Sequence, residues 1–90
     1  MPTASDSPST RAFKEAGLKM MQDMHIAYTG NGDVDFARGM IAHHQGAIGM
    51  ANIELQYGKD SEMHKLAREI VGAQEKEIAQ MQAWLAKHAK

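Results

Sequence analysis

The stretch DVDFARGMIAHHQGAIGMANIEL, residues 33–55, decides the fold of this 90-residue chain. Its apolar positions recur at alternating steps of three and four, which is the spacing of one face of an α-helix. They are Val34, Ala37, Ile41, Ile48, Ala51 and Leu55, and His44 occupies the same stripe. We therefore expect one long amphipathic helix that carries a histidine in the middle of its buried side.

Two more helices are expected, one on each side of this stretch in the sequence. Residues 1–8 are rich in Ser, Thr and Pro and are predicted to be a disordered leader, and residues 9–90 are predicted to form a single helical-bundle domain. The first helix should begin near Pro8, Ser9 or Thr10 and run to the glycines at 30 and 32. Either Asp33 or Asp35 is expected to cap the second helix.

The third helix should follow a very short connection. Gly58 is expected to stop the second helix, and either Asp60 or Ser61 to cap the third. The stripe of the third helix repeats the same spacing through Ala67, Val71, Gln74, Ile78, Met81, Leu85 and His88. Because short connections favour antiparallel neighbours, the expected fold class is all-α, an antiparallel bundle of three helices with a short first helix and a long helical hairpin.

Composition argues against several functions. The formal net charge is -1, and no basic stripe interleaves with aromatic residues, so nucleic acid is not an expected partner. No apolar stretch approaches the roughly 20 residues that cross a bilayer, so no membrane contact is expected. No Glu lies three residues before any His, as di-iron bundles require, and no serine or cysteine nucleophile has the setting of a hydrolase. We therefore predict that the protein is not an enzyme.

Methionine and histidine are the residues that suggest a function. The chain has eight Met, five His and no Cys, and most of the Met and His residues recur at helical spacing. Thioether sulfur is soft and matches Cu(I), whereas imidazole accepts both Cu(I) and Cu(II). The expected cofactor is therefore copper. The candidate metal ligands are Met40, His43, His44, Met50, Met81, Met24, Met21 and His25.

A depth calculation along the predicted hairpin brings some of these donors to one level. With a rise of about 1.5 Å per residue, His44 should face Gln74, and Met40 should lie within about two turns of Met81. The methionines of the first helix should reach the same level, so that three helices converge. His44 is then either a metal ligand or a donor to Gln74, and Glu77 is a candidate outer partner for a ligating imidazole.

The residues also resemble a known family. The segments FARGMIAHHQGAIGMA at 36–51, AREIV at 67–71 and QEKEIAQMQAWL at 74–85 resemble the family of domain of unknown function 305. Its signature falls here on Met40, His43, His44, Met50, Gln74, Glu77, Met81 and Trp84. The resemblance implies a ferritin-like fold and a relation to CopM-like copper-binding proteins. Family members often carry a signal peptide or a duplicated domain, and because this chain shows neither, we expect a mature or trimmed single unit.

Two functional hypotheses follow. The first is a copper-binding protein that sequesters or transfers Cu(I), or Cu(II), and contributes to copper tolerance. The resemblance implies a periplasmic or secreted location for it. Transfer of copper also implies a copper-delivery protein as a partner. The alternative is a structural or interaction bundle in which methionines only fill the core. A bundle of three helices also leaves one side without a partner, so a homodimer is expected.

Overall fold

The computed structural model describes residues 5–88, and every regular element in that range is an α-helix. The helices are α1 (Pro8–Asp23), α2 (Gly32–Tyr57) and α3 (Ser61–His88). This confirms the all-α prediction with three helices. Within the described residues, the backbones of α1 and α3 each pack against α2 and do not approach each other. The predicted core helix is therefore the middle element of the bundle.

Helix α1 begins where the sequence predicts and ends earlier. The Ser7 hydroxyl accepts a hydrogen bond of 3.2 Å from the N–H of Thr10, and Pro8 is the first helical residue. The first four residues of the predicted leader lie outside the described residues. The helix ends at Asp23, with Met24 as its C-cap, so the prediction that it runs to the glycines at 30 and 32 is wrong.

The connection to α2 is held by side chains that compete with helix formation. One carboxylate oxygen of Asp35 accepts hydrogen bonds of 2.9 Å from both the N–H and the hydroxyl of Thr29, and the other accepts one from the N–H of Gly30. Such local bonds to the backbone fix a non-helical path. The cap of α2 is Asn31, which accepts from the N–H groups of Asp33 and Val34. The predicted caps, Asp33 and Asp35, lie instead in the first turn, where negative charge is favourable.

The connection between α2 and α3 follows the prediction. Gly58 is the C-cap of α2, and Asp60 caps α3 by accepting a hydrogen bond of 2.9 Å from the N–H of Met63. His64 adds a hydrogen bond of 2.6 Å with the carbonyl of Gly58 and lies 3.4 Å from a carboxylate oxygen of Glu54. These contacts fix the entry of α3 against the end of α2.

Small residues form most of the core. The buried residues among those described are Val34, Ala37, Ala42, Ala51, Ala67 and His44. All seven predicted stripe positions of α2 are buried or half-buried, which confirms the periodicity argument. Along the contact between α2 and α3, Glu54 meets His64 near the connection and His44 meets Glu77 further away. His44, the histidine predicted at the centre of the stripe, is buried and belongs to the core.

One side of α2 is covered by neither neighbouring helix. We call this side the open face; on α2 it carries Phe36, Met40, Ala47 and Met50, which line surface clefts, and the exposed His43, which lies among them at helical spacing. Phe36 is 65% exposed and Met50 is 48% exposed. None of the three helices, over the described residues, is both long and apolar enough to cross a membrane.

Helix α1 packs on the other side of α2, through Met20 on Gly46. A Cβ atom added at Gly46 would lie 2.7 Å from Cγ of Met20, closer than real Cβ atoms come, and 3.1 Å from its Cβ, which is tighter than most real contacts. At Gly49, one turn further, an added Cβ meets nothing within 4 Å. The absence of a side chain at Gly46 therefore leaves the space that Met20 of α1 occupies.

We predict opposite effects for alanine at these two glycines. Gly49→Ala should stabilise the protein by up to about 1 kcal/mol, because alanine is a better helix former. Gly46→Ala gains the same propensity but forces Met20 and α1 to move, with a net cost of about 1–3 kcal/mol. Urea unfolding followed by circular dichroism measures both changes. Equal stability of the two variants would contradict the packing of α1 on Gly46.

A second prediction concerns the Asp35 contacts. The hydrogen bond from the N–H of Thr29 is the main cause that lowers the pKa of Asp35, and the Thr29 hydroxyl, the N–H of Gly30 and the charge of Arg38 act in the same direction, against desolvation. A carboxyl with a lowered folded pKa stabilises the fold above its unfolded pKa, about 3.9, and loses this effect as pH falls through the folded value. Asp35→Asn should therefore lower Tm at neutral pH, and the difference from wild type should shrink in acid.

Asp33→Asn is the matched control, because it removes a charge from the same helical turn and keeps the Thr29 and Gly30 contacts. It should lower Tm less than Asp35→Asn at neutral pH. Thermal unfolding over a pH series provides the comparison. If Asp35→Asn and wild type melt together at neutral pH, the proposed anchoring of the connection is wrong.

Candidate metal centre

A cleft of about 290 Å³ opens on the open face between α2 and α3. Its lining residues are Phe36, Met40, His44, Glu77, Gln80 and Met81. Helix α2 supplies one thioether and the imidazole, and α3 supplies the other thioether and the carboxylate. The cleft thus collects Met40, His44 and Met81, three of the predicted metal ligands, in one place.

His44 is the buried polar residue of this cleft. It is 6% exposed, and its Nε2 atom lies 2.5 Å from Oε1 of Glu77. An ionised carboxylate can only accept hydrogen bonds, so Nε2 is the protonated nitrogen and donates. The other nitrogen, Nδ1, is buried and has no hydrogen-bond partner among the described residues. The described residues therefore leave the bonding capacity of Nδ1 unused.

The structure does not pair His44 with Gln74, so one of the two predicted roles of His44 is not observed. The depth calculation places Gln74 opposite His44, but the imidazole is bonded to Glu77, one turn further along α3. Gln74 is half-buried, and its Oε1 atom is buried without a hydrogen-bond partner among the described residues. The reckoning assumes a constant register along two straight helices, and an offset of one turn is enough to exchange these partners.

His43 lies outside the cleft. It is exposed, and its ring meets the ring of His44 edge-on, with centroids 6.2 Å apart and planes inclined by 63°. Consecutive helical residues project about 100° apart, so burial of His44 directs His43 towards solvent. The adjacent histidines therefore have different surroundings, as the sequence argument expects.

Met50 lies on the open face but in another groove. This second groove has a volume of about 310 Å³ and is almost entirely apolar, with Glu54 as its charged lining residue. Phe13 of α1 and Met63 and Leu66 of α3 line it together with Met50. The structure thus separates the sulfur of Met50 from the cleft that contains Met40 and Met81.

The predicted donors of the first helix also lie elsewhere. Met21 is 67% exposed, and Met24 and His25 are exposed at the end of α1. Met20 packs on Gly46, and none of the residues that line the His44 cleft comes from α1. The predicted convergence of three helices is therefore not what the structure shows. The reason is that α1 packs on the side of α2 away from this cleft.

Sequence reasoning missed two lining residues, Phe36 and Gln80. Phe36 is one turn before Met40 and Gln80 precedes Met81, so helical spacing from the predicted ligands could have found both. A neighbouring groove of about 420 Å³ shares Phe36, Gln80 and Met81 with the cleft and also includes Trp84. Trp84 stacks on His88, with ring centroids 4.5 Å apart.

The donor set suits some metals and not others. Among residues 5–88, no group of three or more His, Asp or Glu side chains is placed to hold a metal ion. Zinc sites in a chain without cysteine need such groups of nitrogen and oxygen ligands, and calcium and magnesium sites need several oxygen ligands. Two thioethers beside one imidazole form a soft, uncharged set, which fits Cu(I).

Comparison with known proteins identifies one family. The family model described as "Domain of unknown function (DUF305)" matches residues 3–90. No curated protein matches the chain.

The His44–Glu77 hydrogen bond gives a testable stability pattern. Glu77→Leu removes the partner of a buried nitrogen and should cost about 1–3 kcal/mol. The double variant His44→Leu/Glu77→Leu removes both polar partners and should recover most of that loss. Glu75→Leu, an exposed site on the same helix, is the control and should be near neutral. Additive effects of the two leucines in denaturant unfolding would contradict the hydrogen bond.

Proposed function

Since the chain belongs to the DUF305 family, whose description names no function, we propose one from its cleft: the protein binds copper. It holds Cu(I), and also Cu(II), through methionine and histidine side chains for sequestration or transfer. This binding would contribute to copper tolerance.

The observation that carries the proposal is that Met40, Met81 and His44 line a single cleft. Thioethers are poor ligands for most biological metals, and their pairing with an imidazole favours copper, above all Cu(I). They carry no proton in water, so the sulfur donors remain available in acid, where thiolates are lost. The imidazole supplies the stronger donor and accepts either oxidation state.

Glu77 supports a ligand role for His44. A metal-binding histidine commonly donates its second N–H to a carboxylate, which fixes the tautomer and raises the basicity of the ligating nitrogen. Here Nε2 donates to Glu77, and the free lone pair of Nδ1 lacks a hydrogen-bond partner among the described residues. A bound ion would satisfy that buried lone pair.

The remaining candidate donors fit a second, looser role. His43, Met21, Met24 and His25 are exposed, and Met50 is half exposed, so each can reach an ion at the surface. We propose that they hold additional ions weakly, or pass copper between the cleft and a copper-delivery protein.

We also propose for this chain the ferritin-like fold, the similarity to CopM-like proteins and the location that the family resemblance implies. The pairs Glu54–His64 and His44–Glu77 suit an antiparallel arrangement of α2 and α3, and hence a ferritin-like bundle. The copper chemistry makes it similar to CopM-like proteins, and we propose a binding protein rather than an enzyme. A periplasmic or secreted location suits sulfur ligands that need no reduced thiol.

The decisive experiment is Cu(I) titration against a competing chelator under anaerobic conditions. Wild type should bind Cu(I) stoichiometrically, and Met40→Leu/Met81→Leu should lose most of the affinity. Because Leu and Met have similar volumes, that variant should fold with a cost below about 1.5 kcal/mol per site. Met50→Leu/Met63→Leu removes the same number of thioethers from the second groove and should retain the tight site.

Glu77→Gln provides a separate test of how His44 is held. It keeps a hydrogen-bonding side chain but removes the charge, and should weaken Cu(I) binding by about 10–100-fold. Trp84 is the sole tryptophan, and its groove shares Met81 with the cleft, so its fluorescence can report binding. If wild type fails to compete for Cu(I), the rival structural bundle with a methionine-rich core is the better account. If both double leucine variants bind Cu(I) as tightly as wild type, the His44 cleft is not the site.

A further inference from the structure

The molecule is too thin for a protein of its length. Its principal extents are 45 × 29 × 14 Å, and its radius of gyration is 15.2 Å. A compact chain of this length has a radius of gyration of about 12 Å. The three helices therefore form little more than one layer, and a single layer of helices cannot enclose a core.

The burial pattern agrees with the shape. No large side chain among the described residues is fully buried, and the buried apolar residues are one valine and four alanines. The solvent-accessible surface is 6345 Å². Area scaling gives about 5,200 Å² for a monomer of this mass, so the excess is roughly 1,100 Å². A standard interface buries about 800 Å² on each partner, so the excess is enough for one.

The two uncovered sides of the layer differ in chemistry. The open face carries exposed Phe36 and Met50 on α2, and Phe13, Met63 and Leu66 of the other helices line its second groove. The opposite side of α2 carries exposed, polar residues at helical spacing, namely Arg38, Gln45, Asn52 and Gln56. Of these two sides, the open face is the one rich in Met and aromatic residues, as interface cores are, and its grooves also include the carboxylates of Glu54 and Glu77.

We propose that the open face is the interface of a homodimer, in which a second copy of this chain covers it. Two layers of 14 Å stacked face to face give a thickness of about 28 Å, close to the 29 Å width of one chain. A two-fold axis through the face brings the same apolar groove of each copy against the other, which is self-complementary. The formal charge of -1 on each chain adds little repulsion.

The dimer has a consequence for the His44 cleft, because that cleft opens on the same face. Pairing brings the clefts of the two copies to the same interface. The inference itself rests on shape, area and burial, and it is tested in the metal-free protein. Its failure is therefore distinguishable from a failure of copper binding.

Sedimentation equilibrium of the metal-free wild type at micromolar concentration should give about twice the chain mass of 9.9 kDa. Met50→Glu/Leu66→Glu places two charges in the second groove and should give a monomer. Gln45→Glu/Gln56→Glu adds the same charge to the opposite side and should remain a dimer. Circular dichroism should show that both variants stay helical.

A measurement on unmodified chains covers the case in which the charged variant unfolds. In a mixture of isotope-labelled and unlabelled wild type, filtered NMR spectra should show contacts between copies at the methyl groups of Met50 and Met63. A monomeric wild type overturns the proposal and leaves the face to a different partner. A dimer that persists in Met50→Glu/Leu66→Glu, or that shows its contacts on the Gln45 side, overturns the assignment of the face.

Discussion

The hydrogen bond between His44 and Glu77 is the interaction on which the candidate site depends. It joins α2 to α3 and explains how a polar ring can be buried in a stripe that is otherwise apolar. Glu77 is 56% exposed at its side chain, whereas His44 is almost fully buried, so the pair extends from the protein interior to the cleft. The bond occupies Nε2, and the described residues supply no hydrogen-bond partner for the buried Nδ1.

Because the fold is thin, the candidate metal site and the proposed dimer interface lie on the same face. Alanine and glycine on α2 let α1 and α3 pack closely on either side, but they provide too little volume for a closed core. The larger apolar residues are consequently left on the open face, and the soft donors Met40 and Met81 lie among them. The His44 cleft and the uncovered apolar surface on the same face are thus two results of one composition.

The sequence predicted the periodic parts of this structure and missed features that depend on tertiary register. The α2 stripe from Val34 to Leu55 is buried or half-buried, and Gly58 and Asp60 end and begin helices as expected, because spacing and capping are local properties. The end of α1 was mispredicted because Asp35 binds the backbone at Thr29 and Gly30, and helical periodicity does not report such contacts. Glu77 is a partner that the sequence already suggests for a ligating imidazole, but the choice between Glu77 and Gln74 depends on an offset of one turn between two helices. Whether the methionines of α1 reach the His44 cleft depends on which side of α2 this helix packs against.

The most direct test of this account is the protonation state of the two His44 ring nitrogens, measured by long-range ¹H–¹⁵N NMR on the metal-free protein at neutral pH and again after Cu(I) is added. The account predicts a neutral ring with the proton on Nε2, a non-protonated Nδ1, and a large change of the Nδ1 resonance when Cu(I) binds. A proton on Nδ1, or an Nδ1 resonance that Cu(I) leaves unchanged while the ion binds elsewhere, would contradict it.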